Sequence, residues 1–348
     1  MHAADLIVLT PQGMYCPAGD FHIDPWQPVE RAVITHAHAD HSRMGHQAYL
    51  AHTLSEGVMR ARLGDIRFQG LAYGDSIRIG SANVSLHPAG HVLGSAQVRV
   101  DVAGQTWVVS GDYFVSGVAD TNRTCQAFDP VPCDCFITES TFGLPIYRWQ
   151  RQDETMADVN AWWHKNAREG RNSLLMGYSF GKAQRLLAGV DAGLGPIFVH
   201  AAVHRITQAY RDAGVVLPAT VALEGAWTKR DVQRALVIAP PAVQGSAWAK
   251  RLGDASDAFA SGWMRLRGAR RRRGVDRGFV LSDHADWPGL MAAIGATGAS
   301  RVIVTHGYED VMVKWLRQQG LQASSFETEF GDALEEADTR VAKGDDAE

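Results

Sequence analysis

The chain is 348 residues long, 46% hydrophobic and 21% charged, with a formal net charge of -4. That length is more than one compact core usually fills and favours a domain carrying an inserted second one. No apolar stretch approaches the roughly 18 to 20 residues that span a bilayer, and no basic region followed by an apolar run opens the chain, so we expect a cytoplasmic protein with no membrane partner. Cys16, Cys125, Cys133 and Cys135 are too few and too irregular for a secreted disulfide framework. We expect buried free thiols, because Cys133-Asp134-Cys135 lacks the second pair that a zinc site would need.

The first chemistry follows the strand-like run Ala32-Val33-Ile34, in Thr35-His36-Ala37-His38-Ala39-Asp40-His41. A strand ending there releases alternate side chains into a loop, so that His36 and His38 can grip one ion while Asp40 and His41 reach another. Nitrogen and oxygen donors of this kind suit zinc or manganese, and apolar packing does not call for four such side chains at this spacing. Further donors come later. His91 lies in the turn Gly90-His91-Val92-Leu93-Gly94, Asp112 ends Trp107-Val108-Val109-Ser110-Gly111-Asp112, and His306 closes Arg301-Val302-Ile303-Val304-Thr305-His306. Taken singly, each would more often be a satisfied turn residue; together they repeat one placement, the end of a strand, where α/β sheets build their sites.

From Asp153 the rhythm changes. Residues 153–169 carry apolar side chains at helical intervals, with Asp153 placed to cap and Gly170 to stop the helix. A strand is predicted over 172–180, a helix over 182–191 and a strand over 196–200, an alternation that suggests a small parallel sheet. The turn Ser179-Phe180-Gly181-Lys182 is no P-loop, since Ala183 stands where Ser or Thr is required. Its free amides and Lys182 can still bind a phosphate, the alternative being a helix cap with an exposed Lys. Arg265, Arg267, Arg270, Arg271, Arg272, Arg273 and Arg277, beside Trp263, form a local basic run that can track a nucleic-acid backbone or be merely a solvated loop. His46, His87, His200 and His204 are read as structural. From Gly278 two apolar strands, ending at His284 and His306, bracket a helix from Trp287, and the acidic tail 327–348 reads as a surface helix with a frayed end.

The HxHxDH cluster, Gly90-His91, Ser110-Gly111-Asp112 and Thr305-His306-Gly307 resemble the metallo-β-lactamase fold family. That resemblance implies an α/β protein built as a four-layer αββα sandwich with a dinuclear Zn2+ or Mn2+ centre between its sheets. It implies His36, His38 and His91 on one ion, Asp40, His41 and His306 on the other, and Asp112 bridging. Asp24, in Phe21-His22-Ile23-Asp24-Pro25, matches the family's early Asp that braces the ligand loop. Thr138-Glu139-Ser140-Thr141-Phe142-Gly143 and Leu281-Ser282-Asp283-His284-Ala285-Asp286 flank the insertion and resemble motifs A and B of the β-CASP nucleases, with His306 in the place of motif C.

Tyr15-Cys16-Pro17-Ala18-Gly19-Asp20, Gly181-Lys182-Ala183-Gln184 and Ser282-Asp283-His284-Ala285-Asp286 are most similar to bacterial ligase-associated DNA exonucleases. The resemblance covers nearly the whole chain. It implies a metallo-β-lactamase domain over 1–144, a β-CASP cassette of small parallel sheet and flanking helices over 145–277, and a return segment with a C-terminal helix over 278–348. Its implied activity is hydrolysis of phosphodiester bonds in DNA repair, 5′ to 3′ on single strands, with Asp40, Asp112, Glu139 and His284 catalytic. His284, oriented by Glu139, would protonate the leaving 3′ oxygen. Lys182 and the arginine run would hold DNA, and an ATP-dependent DNA ligase and a helicase of the same pathway would be partners. An RNA-processing β-CASP ribonuclease is the alternative. A non-catalytic nucleic-acid-binding subunit is disfavoured because every ligand position is filled, and a small-molecule hydrolase by the insertion and by Glu139 and His284.

Overall fold

A computed structural model describes residues 5–115 and 124–330, a mixed α/β chain with three sheets. They separate into two compact units, one formed by 5–148 with 284–330 and the other by 149–283.

The first unit holds two sheets. In one, the strands Val8–Thr10, Gly13–Cys16, Phe21–Ile23, Arg31–Val33, Ala48–His52 and Phe68–Leu71 lie side by side in chain order. In the other the order is Gln322–Ser325, Arg301–Gly307, Cys135–Ser140, Gln105–Val109, Ala96–Val102, Ala82–Pro88 and Ser76–Ile79. Cys135–Ser140 is buried at all six residues because parallel neighbours flank it and both of its faces are covered. Its side chains alternate accordingly. Cys135 and Ile137 join Trp107, Val109 and Ile303 in a core shared with Met14, Ile23, Val33 and Leu50 of the first sheet. Phe136 points the other way, with Val108, Val302 and Val304, into a layer closed by Leu290 and Ile294 of the helix Trp287–Thr297 and by Met312 and Leu316 of the helix Glu309–Gln318. Two sheets thus pack face to face, with helices on the outer side of the second.

The second unit is built on six strands paired in parallel, in the order Val221–Leu223, Ile197–His200, Leu236–Ala239, Asn172–Met176, Ala255–Ala260 and Arg277–Phe279. Leu175, Val199, Ile238 and Ala258 face Val159, Trp163, Leu186 and Val203 from the helices Gln152–Arg168, Lys182–Gly189 and Ala201–Asp212. Leu174, Phe198, Val237 and Phe259 make the opposite face.

Several expectations need correction. Asp153 does not cap its helix: Arg151 is the N-cap residue, and Asp153 sits in the first turn with its carboxylate bonded by Arg151. The strand expected to run to His284 stops at Phe279 and belongs to the third sheet rather than to a return segment. Beyond it side chains and distant backbone take over the bonding, with Arg185 Nη1 donating to Ser282 O at 2.5 Å and Ala285 N to Tyr113 O at 2.7 Å. Of the four thiols, none in a disulfide, Cys16 and Cys135 are buried but Cys125 and Cys133 only half-buried. The tail helix falls on 331–348, outside the described residues. Among the described residues no helix is long and apolar enough to cross a membrane.

Candidate metal centre

The strand Arg31–Val33 ends inside the first sheet; Ile34 N still donates to Leu50 O at 2.8 Å before the chain turns away. The next residues are tied to Asp24, whose carboxylate accepts from Thr35 N at 2.7 Å, Thr35 Oγ1 at 2.5 Å and His41 Nδ1 at 2.8 Å. Asp24 is fully buried at φ 45, a left-handed conformation that costs a non-glycine residue energy and persists only where its surroundings fix it. Burial pushes its carboxyl up, and the bonds from His41 and Thr35 oppose that. From the second sheet, Gly111 approaches the same threonine at φ 55; a Cβ there would lie 2.5 Å from Thr35 Oγ1. Only glycine lets Asp112 follow so close to the histidine loop.

Ligand atoms of His36, His38, His91 and Asp112 lie within 4.8 Å of one another, as do those of His41, Asp112 and His306. Asp112 is common to both groups. Its Oδ2 is 3.4 Å from His36 Nε2 and 3.7 Å from His91 Nε2, and its Oδ1 is 3.2 Å from His306 Nε2 and 3.5 Å from His41 Nε2. His38 Nδ1 and His91 Nε2 are 3.0 Å apart, close to the ~3.3 Å that two nitrogens keep on one tetrahedral ion at 2.0 to 2.1 Å. Asp40 falls outside these groups, but its Oδ2 is 3.6 Å from His41 Nε2.

Hydrogen bonds at the far side of three rings decide which nitrogen is offered. Thr35 Oγ1 spends its proton on Asp24, so its lone pair faces His36 Nδ1 at 3.1 Å. Thr305 Oγ1 donates to Thr138 O and faces His306 Nδ1 at 3.0 Å. With Nδ1 of His36, His41 and His306 each engaged, all three rings turn Nε2 toward Asp112. His36 Nε2, His41 Nε2, Asp112 Oδ1 and Asp40 Oδ1 are buried without hydrogen-bond partners among the described residues. Orphaned polar atoms in a dry site cost about 1–3 kcal/mol each. Divalent cations would satisfy them together, and the nitrogen and oxygen donors fit zinc or manganese.

The charges agree. Burial opposes a charge on His41, yet the carboxylates of Asp112, Asp40 and Asp24 overcome it and hold the imidazole up at about 10. Burial pushes Asp112 up, but His41, His284 and His36 outweigh it and keep its carboxyl well below the usual range. His36, buried and next to His41, is driven the other way, toward the neutral form that a ligand needs.

Beside this cluster, His284 Nδ1 lies 3.0 Å from Glu139 Oε2 and 4.0 Å from Asp112 Oδ2. Glu139 is itself held: Tyr113 N donates to its Oε1 at 2.8 Å and Thr141 Oγ1 to its Oε2. Burial raises its carboxyl, but His284 more than compensates, and it stays ionised below its ordinary range.

The nucleic-acid residues read from sequence are placed differently. Lys182 is 2% exposed, with Nζ 2.5 Å from Asp283 Oδ1. It is no exposed phosphate ligand, because burial of the turn makes its ammonium take the nearest carboxylate. The arginine run is a short helix, Arg267–Arg273, rather than a loop. Arg265, Arg267 and Arg271 are exposed, Arg273 covers the Phe259 ring at 4.2 Å, and Arg277 lies over Phe279 at 5.5 Å. The side chains of Arg270 and Arg272 lie outside the described residues. His200 caps the helix Ala201–Asp212 and His46 accepts from Val29 N, both structural tasks.

Thr35, Thr141, Thr305 and Phe330 were not singled out from sequence. A signal existed for two of them: Thr precedes His at the end of an apolar run in both Ile34-Thr35-His36 and Val304-Thr305-His306.

No family model matches the chain. It is 30% identical over 314 residues to a probable DNA ligase of Opitutus terrae, which covers 89% of this chain and 30% of that protein. It is 28% identical over 127 residues to the endoribonuclease YSH1 of Candida glabrata (36% of this chain, 16% of the relative) and 30% over 103 residues to cleavage and polyadenylation specificity factor 73 of Drosophila melanogaster (30% and 14%). The chain spans less than a third of the length of these curated relatives. A solved protein of unknown function from Enterococcus faecalis shares the fold at TM-score 0.58 and 11% identity, covering 87% of this chain and 80% of that one. The relatives support the metallo-β-lactamase β-CASP superfamily as the setting of this chain, without fixing its subtype.

Proposed function

We propose that this chain is a dinuclear metal-dependent DNA exonuclease that hydrolyses phosphodiester bonds in repair, 5′ to 3′ on single strands, with the αββα sandwich and inserted β-CASP cassette of its superfamily. The observation that carries this is the pair of buried ligand groups sharing Asp112, with the His284–Glu139 pair alongside. His36, His38 and His91 would hold one ion and Asp40, His41 and His306 the other. When bound, two divalent cations supply Lewis acidity toward the phosphodiester and ease deprotonation of the attacking water.

The chain's own residues do the rest. Asp24, Thr35 and Thr305 fix the ligand rings so that each Nε2 is presented without reorganisation. The Glu139 carboxylate, locked by Tyr113 N and Thr141, orients the His284 imidazole and favours its charged form. His284 then delivers a proton from Nε2 to the leaving 3′ oxygen. Arg265, Arg267, Arg271 and their neighbours supply cations for a strand backbone.

The long match to a protein named a probable DNA ligase is in keeping with a DNA substrate; ligase and helicase partners and a cytoplasmic location follow only from the sequence resemblance. The endoribonucleases among the relatives favour one second reading, RNA processing. End-labelled single-stranded DNA and RNA of matched sequence, incubated with Zn2+ or Mn2+ and read at nucleotide resolution, separate the two. Stepwise mononucleotide release from DNA alone is expected; preferential internal cuts in RNA would replace this reading with its rival.

A further inference from the structure

The two ligand groups are supported in different ways. The rings of His36, His38 and His91 pack edge-on against one another, each pair 4.9 Å apart. His41 and His306 instead share a neighbour from far down the chain. Phe330, 7% exposed, stacks on His41 at 4.4 Å and 12°, meets His306 edge-on at 5.8 Å and 74°, and rests on Trp26 at 5.6 Å.

The segment bearing Phe330 is fastened to the elements that carry those histidines. Phe326 N donates to Val304 O at 2.9 Å, and Thr328 Oγ1 to Thr305 O at 2.5 Å, along the strand that ends with His306. On the loop side, Arg43 Nη2, two residues beyond His41, donates to Glu329 O at 3.2 Å.

We propose that Phe330 is a positioning residue for one ion only, the one held by Asp40, His41 and His306. Asp24 pins the edge of the His41 ring at Nδ1, and the flat face of Phe330 sets its plane, so that Nε2 is directed at Asp112. The same ring seals the His41–His306 side against water with an apolar wall, which strengthens every charge interaction inside. Among the described residues Phe330 makes no ring contact with His36, His38 or His91 and meets them only through His41, 4.2 Å from the His36 ring, so the two ions would depend unequally on the segment that bears Phe330.

This rests on the dinuclear reading above, and the test separates the two. Zn2+ is titrated into the full chain in competition with a chromophoric chelator. The unmodified chain should bind two ions, and Phe330→Ala should weaken one of them about tenfold to hundredfold, the range seen when outer-shell partners of metal ligands are removed. In a His38→Ala background, where only the second group is whole, Phe330→Ala should weaken the remaining ion by the same factor. In a His306→Ala background it should leave the remaining ion unchanged. Weakening in both backgrounds, or in neither, overturns the proposal. Phe330→Leu, which keeps apolar cover without a stacked ring, serves if the alanine variant does not fold, and its smaller loss should appear in the His38→Ala background alone. An unmodified chain that binds one ion or none contradicts the dinuclear reading instead.

Discussion

Two constellations of charged side chains are almost wholly removed from water in this molecule, and they are built on opposite terms. In the unit of the parallel sheet, Lys182 and Arg185 are each 2% exposed. Lys182 is matched by Asp283, and Arg185 by Gln152 Oε1 at 2.6 Å and Ser282 O at 2.5 Å. In the unit of the two packed sheets, the histidines and aspartates around Asp112 are equally dry, yet His36 Nε2, His41 Nε2, Asp40 Oδ1 and Asp112 Oδ1 have no hydrogen-bond partner among the described residues. Burial of charge therefore does not by itself mark a functional site. Buried ligand-type atoms that converge without hydrogen bonds point to one more strongly, because a divalent cation would offset the cost of leaving them unpaired.

That contrast can be broken by substitution. The largest effect is expected at the residue common to both ligand groups: Asp112→Ala should strip bound metal and lower phosphodiester cleavage at least about a thousandfold, several kcal/mol of lost charge stabilisation. Retention of both ions, measured by elemental analysis, would remove Asp112 from the centre. Lys182→Met should act on stability instead, costing about 3–5 kcal/mol in denaturant unfolding because a buried ion pair loses one of its two charges. Replacing both members, Lys182→Met with Asp283→Leu, should recover part of the loss, as removing both charges of a buried pair does; a double variant no more stable than the single one would contradict the pairing. Smaller again is His284→Ala, expected to slow turnover about a hundredfold, in the general-acid range, with metal still bound. Near-normal kcat would take the proton-donor role from His284.

The same contrast explains what could be read from sequence. The loop 36–41 was legible because its ligand types crowd into six positions after an apolar run, a pattern set by local spacing alone. His91, Asp112 and His306 were legible because each ends an apolar strand, and the fold brings their ligand atoms together with those of the loop. The βα alternation after Asp153 likewise pointed to the parallel sheet. What escaped depended on distant partners. Lys182 looked like a surface cation because Asp283 lies 101 residues away. Phe330, an apolar residue with no chemistry of its own, is noticed only once His41 is seen beneath its ring. The capping assignment at Asp153 failed more locally, since Arg151 engages the carboxylate that would have capped.

Metal analysis of the folded, purified chain addresses the central claim most directly. Two divalent ions per polypeptide, lost on dialysis against a chelator together with nuclease activity and regained with Zn2+ or Mn2+, is the result expected from ligand groups that meet at Asp112. Correctly folded protein that cleaves DNA fully while holding no divalent metal would contradict it.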